Sequence, residues 1–180
     1  MMAAPAGASG SGRDFVAAVE ARLRAARAQP GAPAREASCH ALLADAFDAG
    51  ALARTAAGPR WDGFDAPARA EMTGAAMRRL QRECPALLAR PDPGAPEVVR
   101  EREAPPGLRL VTRLARTDGN ALMVVWVLAP GGPMGWRLED LVADGVSMAA
   151  TLRSEFDARL AARDGDIRAA IADLGTEARR

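Results

Sequence analysis

The sequence predicts an α+β fold, and three observations carry that expectation. Apolar residues recur with a helical period to about Cys84, with a period of two from Val98 to Val142, and with a helical period again to Leu174. Pro85 to Pro96, with four prolines, separates the first two regimes. No internal repeat is present, so the order reads as a helical N-terminal half, a four-stranded antiparallel sheet and two C-terminal helices. A length of 180 residues suits one domain with its own core, expected over residues 13–176.

Residues 1–12 are small and flexible in composition and read as a disordered tail or an expression remnant. They have neither the basic start nor the apolar stretch of a secretory leader, which leaves a cytoplasmic chain or one whose leader has been replaced. A helix is expected from Arg13 to about Gln29, with Val16, Val19, Leu23 and Ala26 on one face. Pro30 to Pro33 breaks it, and a second helix runs from about Arg35 to Phe47. Asp48 caps a third, Ala49 to Ala57, which Gly58 and Pro59 end. Trp61 falls in the next loop. Asp65 caps a longer helix to about Cys84, with Pro67 tolerated in its first turn and an inner stripe of Met77, Leu80 and Cys84.

Val98 to Glu103 is a charged strand suited to a sheet edge. In the strand Leu108 to Arg116, Leu108, Leu110, Thr112 and Leu114 point one way and Arg109 and Arg113 the other. Thr117-Asp118-Gly119-Asn120 is a hairpin signal. Ala121 to Leu128 and Gly135 to Val142 follow as strands, joined by a turn at Pro130 to Gly132. Asp144-Gly145 leads to a helix with the stripe Met148, Leu152, Phe156 and Leu160. Asp166 to Leu174 is the last helix.

Leu122-Met123-Val124-Val125-Trp126-Val127-Leu128 is apolar on both faces, whereas a strand with one wet face alternates. Each side therefore calls for an apolar cover. Packed helices satisfy this, and so does a cavity for an apolar ligand on one side.

The composition excludes several classes of function. A net charge of +1 leaves no overall basic character for holding nucleic acid, though a local basic patch stays open. No apolar run approaches the roughly 20 residues of a membrane span. Ala and Arg, both helix formers, dominate, and there is no Tyr. The single His40 has no cluster around it for metal or acid–base work and reads as structural. No CxxC, HExxH, phosphate-binding loop or GxSxG occurs. Glu155 and Arg159 make an ordinary i,i+4 pair. Cys39 lies early in one helix and Cys84 near the end of another. If these helices are antiparallel neighbours the thiols meet as a disulfide, contributing about 4 kcal/mol by loop closure and requiring an oxidising compartment. Otherwise they are two buried free thiols.

Trp136-Arg137-Leu138-Glu139-Asp140-Leu141-Val142-Ala143-Asp144-Gly145-Val146-Ser147-Met148, followed by Leu152-Arg153-Ser154-Glu155-Phe156, resembles the pattern W-x-x-x-D-x-x-x-(D/E)-G-V-S then Y-R-x-x-F of the MlaC, or toluene-tolerance, family. Upstream, Phe47-Asp48, Gly58 with Trp61, Ala66-Pro67-Ala68-Arg69 and Thr117-Asp118-Gly119 are similar to further segments of that family. Leu152 stands where the family pattern has Tyr, and Met77 to Cys84 lacks aromatics. The resemblance implies a carrier without cofactor or covalent chemistry, acting in the periplasm as a monomer. It implies a phospholipid ligand held in an apolar pocket between sheet and helices. It also implies transient contact with an inner-membrane ABC transporter complex and an outer-membrane lipoprotein complex, in the maintenance of outer-membrane lipid asymmetry. The expected pocket wall is Met77, Leu80, Leu110, Leu114, Val124, Trp126, Leu128, Val146, Met148 and Leu152, with Met123, Val125 and Val127 as the alternative face of the third strand. Trp136, Asp140, Gly145 and Ser147 are expected to be structural. The rival expectations are a hopanoid-associated carrier of the same family and a packed cystatin- or NTF2-like interaction module.

Overall fold

A computed structural model describes residues 10–90, 94–116 and 119–176. Residues 1–9 of the expected tail, and Thr117 and Asp118 of the expected hairpin, lie outside the described residues. The described chain forms α1 (Gly12–Arg27), α2 (Ala32–Ala46), α3 (Ala49–Ala57), a 3₁₀ turn (Gly58–Gly63), α4 (Ala66–Gln81) and α5 (Cys84–Ala89). These precede β1 (Glu97–Ala104), β2 (Gly107–Ala115), β3 (Ala121–Pro130), β4 (Trp136–Ala143) and β5 (Val146–Ser147), and α6 (Met148–Ala162) and α7 (Ile167–Gly175) close the chain.

The caps at Asp48, Asp65 and Ser147 are those the sequence announces. At α1 the structure departs from the expected tail: the helix opens at Gly12, and Ser11 and Asp14 form a reciprocal capping box. Asp48, Asp65, Ser147 and Asp166 each accept a backbone N–H in the first turn of the helix they precede. α3 is the innermost helix, with Leu52, Ala53, Ala56 and Ala57 fully buried. Its alanines let α4 and α6 pack close on either side, which is how a chain poor in aromatics fills its interior. Gly12 serves the same end at the sheet. A Cβ there would lie 2.6 Å from a methyl of Leu110, so glycine permits α1 to cross β2 at this distance.

The sheet is antiparallel throughout, in the order β1-β2-β3-β4-β5, with charged β1 at one edge as expected. It has five strands where the sequence suggests four. The fifth, Val146–Ser147, is too short to show a period of two. It pairs with Val142 and Ala143 because Asp144 and Gly145, at φ +47° and +83°, reverse the chain tightly. A second correction concerns Pro85 to Pro96. The helical half does not end there, since Cys84–Ala89 is helical with Pro85 in its first turn, where a missing N–H costs nothing. α4 accordingly stops at Gln81, and Cys84 opens α5. Trp61 sits in the 3₁₀ turn, with Arg54 and Arg69 over its ring at 5.9 and 5.6 Å.

Helices α4 and α6 are tied by an ion pair wider than the i,i+4 contact expected. Arg79 donates through Nε and Nη2 to both oxygens of Glu155 at 2.8 Å, while Arg159 lies 3.5 Å away. Burial works against the charge on Glu155, but Arg79 outweighs it and holds the carboxyl below its ordinary value of 4.5. A depressed folded-state pKa adds stability above the ordinary value and loses it as pH falls. Glu155→Gln is therefore expected to cost about 1–3 kcal/mol at neutral pH. Its penalty should shrink in denaturation curves taken below pH 4.5.

Asp140 joins β4 to the start of α6. Its carboxylate accepts from the Leu141 and Ala149 amides and from the Ser147 hydroxyl. Ser147 caps α6, and Gly145 makes the turn, as the sequence indicates. The indole of Trp136 donates to the carbonyl of Gly10, fixing the entry to α1.

Candidate functional site

A cavity of about 310 Å³ lies between the sheet and the helices. The sheet contributes Leu114 from β2, Leu122, Val124 and Trp126 from β3, and Leu138, Leu141 and Ala143 from β4. Val19 and Leu23 of α1, Leu42, Leu43 and Ala46 of α2, and Ala86 and Leu87 of α5 form the opposite wall, with Phe47, Leu80 and Met148 completing it. Only three lining residues are charged, Glu20, Glu83 and Arg90. The volume is at the lower end of the roughly 300–1,000 Å³ usual for ligand sites.

The alternation of β3 settles which of its faces this is. Val124, Trp126 and Leu128 are buried inward, while Met123, Val125 and Val127 point away from the cavity. Trp126 can line an apolar wall because its polar atom is satisfied from behind. Its Nε1 donates to Thr112 Oγ1 at 2.9 Å, and Thr112 is fully buried. Replacing Thr112 with the near-isosteric Val leaves that N–H buried and unpartnered. We expect T112V to lower the unfolding free energy by about 1–3 kcal/mol in urea titrations, with the fold retained.

Five of the residues expected in the wall come together here: Leu80, Leu114, Val124, Trp126 and Met148. Leu110, Leu128 and Leu152 are on the same inner side but belong to the packed core, each at most 3% exposed. Met77 is half-buried against that core. Val146 does not face the cavity. It is 64% exposed, because it stands opposite Ala143 on β5, the edge strand of the sheet. The residues that sequence reasoning left unassigned are mostly helical. Val19 and Leu23 were visible as an inner stripe, but nothing in a stripe separates a cavity wall from plain core.

Cys39 and Cys84 form a disulfide that joins the interior of α2 to the first residue of α5. The bridge therefore anchors the short helix whose Ala86 and Leu87 close one side of the cavity. Arg27 adds a hydrogen bond from Nη2 to the Leu87 carbonyl. His40 is half-buried beside Cys39, and the described residues contain no group of three or more metal-ligating side chains. No helix of the described residues is long and apolar enough to cross a membrane.

Comparison with known proteins agrees with this architecture. A family model described as MlaC protein matches residues 13–176. The fold is similar to that of a phospholipid-binding protein from Ralstonia solanacearum solved in complex with a phospholipid. The TM-score is 0.61 at 14% identity, over 91% of this chain and 93% of that one. No curated sequence relative matches the chain.

Proposed function

The chain belongs to the MlaC family, and from that premise we propose that residues 13–176 are a single lipid-binding domain that carries phospholipid across the periplasm. The observation that supports this most is the apolar cavity between sheet and helices, in the same fold as a protein solved with a phospholipid. In this reading Leu114, Val124 and Trp126 contact acyl chain from the sheet, and Leu23, Leu42 and Leu87 from the helices. Each methylene transferred from water contributes about 0.8 kcal/mol, so tails bind without a charged anchor. Glu20, Glu83 and Arg90 are the polar groups available to a headgroup.

The function so proposed is transport without covalent chemistry. Lipid is taken up at one membrane complex and delivered to another, an outer-membrane lipoprotein complex and an inner-membrane ABC transporter. The disulfide fits the oxidising compartment. Release needs a partner that favours an open state, since cargo held by this much apolar contact does not leave quickly unaided. Transfer of a fluorescent phospholipid between donor and acceptor vesicles tests the reading. The chain should accelerate transfer in proportion to its concentration, and a rate equal to that of vesicles alone would contradict it.

A further inference from the structure

The helices and the cavity occupy one face of the sheet, and the strand register defines what stands on the other. Arg102 is opposite Arg109, Arg100 opposite Val111 and Glu97 opposite Arg113. Continuing across the sheet, Arg109 is opposite Val127, Val111 opposite Val125 and Arg113 opposite Met123, and Val125 is opposite Val142. The outer face thus has an apolar centre of valines flanked by a basic rim on β1 and β2. The valines are half-buried and outside the core, and Met123 is 38% exposed. Sequence reasoning called for an apolar cover on both sides of β3. Among the described residues only the inner side has one.

The basic rim is costly to the fold. Arg102 and Arg109 are directly opposed like charges, which destabilises a strand pair. Arg113 has Glu97 at 3.8 Å, but Arg100, Arg102 and Arg109 are exposed and have no ion pair among the described residues. On β1 and β2 this face has four arginines against one glutamate, with Asp140 of β4 at its far side opposite Val127, on a chain whose total is +1. Nothing in the packing of the chain uses that concentration of charge.

We propose that the outer face of the sheet is a docking surface for an acidic protein partner. Arg102 and Arg109 would hold its carboxylates, and Val111, Val125 and Val127 would pack beneath its apolar side chains. Arginine forks suit carboxylates, and protein interfaces favour Arg and Met around an apolar centre. A second copy of this chain is disfavoured, because two basic faces repel. A bilayer is a poorer fit, since this flat face offers no aromatic or leucine wedge and the cavity lies on the other side of the sheet. The proposal rests on the carrier reading, which needs a partner for loading and release.

The test uses the full chain and its double variant R102E/R109E. Binding is measured to the inner-membrane transporter complex and the outer-membrane lipoprotein complex of the same bacterium, each in nanodiscs, and to vesicles of phosphatidylglycerol. The variant should bind at least one complex tenfold or more weakly than the wild type, and the wild-type affinity should fall as salt rises. Its melting temperature should not fall, because the substitution removes no core contact, and its bound-lipid content should equal that of the wild type. Equal binding by variant and wild type, or no wild-type binding to either complex, overturns the proposal while lipid content reports separately on the carrier reading. Arginine-dependent binding to the vesicles alone overturns it in favour of a lipid surface.

Discussion

Ala46→Trp is expected to empty the protein of lipid while leaving it folded. Ala46 is 1% exposed and stands on α2 in the cavity wall, among Leu42, Leu43 and Phe47. An indole at this position extends into about 310 Å³ of space that the proposed acyl chains would otherwise fill. Displacing four methylenes of lipid contact costs about 3 kcal/mol, a factor of roughly 200 in affinity. The protein itself should fare better. Overpacking a dense core costs about 1–3 kcal/mol, but here part of the added volume enters existing space. The lipid-to-protein ratio after purification, with circular dichroism and thermal melting on the same sample, separates the two effects. Loss of lipid with a native spectrum and a melting temperature within a few degrees of wild type is the expected result. Full lipid content in a folded A46W protein would place the ligand elsewhere.

The second large effect is expected from the disulfide. Cys39 and Cys84 are 45 residues apart, and closing a loop of that length restricts the unfolded chain by about 4 kcal/mol. For a domain of this size each kcal/mol moves the melting temperature by roughly 2–4 °C. The double variant C39A/C84A should therefore melt about 8–16 °C lower than the wild type. Reductant should produce a similar fall in the wild type and none in the variant. The bridge also fixes α5, whose Ala86 and Leu87 line the cavity. Lipid retention in C39A/C84A is accordingly expected to fall even at temperatures where the protein stays folded. If stability drops but lipid retention does not, α5 keeps its place through Arg27 and packing alone.

The elements were legible where chemistry punctuates the chain. Asp48 and Asp65 mark helix starts by their capping oxygens, and each does so in the structure. The alternation of Leu108, Leu110, Thr112 and Leu114 identified both the strand and its inward side. α5 and β5 were not legible. Proline at the first turn of a helix looks the same in sequence as proline that ends one, and a strand of two residues has no period. For the site, the sequence could mark β3 as apolar on both faces but could not choose between them. That choice depends on which side the helices take, a long-range property. Val146 shows the converse error: it looks like a wall residue beside Met148, but it stands on the edge strand of the sheet and is in solvent. Leu110 and Leu128 show the commonest ambiguity, since a residue that packs against its neighbours and one that packs against a ligand have the same chemistry.

The account stands most directly on mass spectrometry of the protein purified from a bacterial periplasm, first native and then denatured with solvent extraction. It predicts one bound phospholipid species per chain, released on denaturation, on a polypeptide two hydrogens lighter than its reduced mass. A chain that stays free of lipid even after incubation with phospholipid vesicles would contradict it, and would leave a packed interaction module with the fold of a carrier.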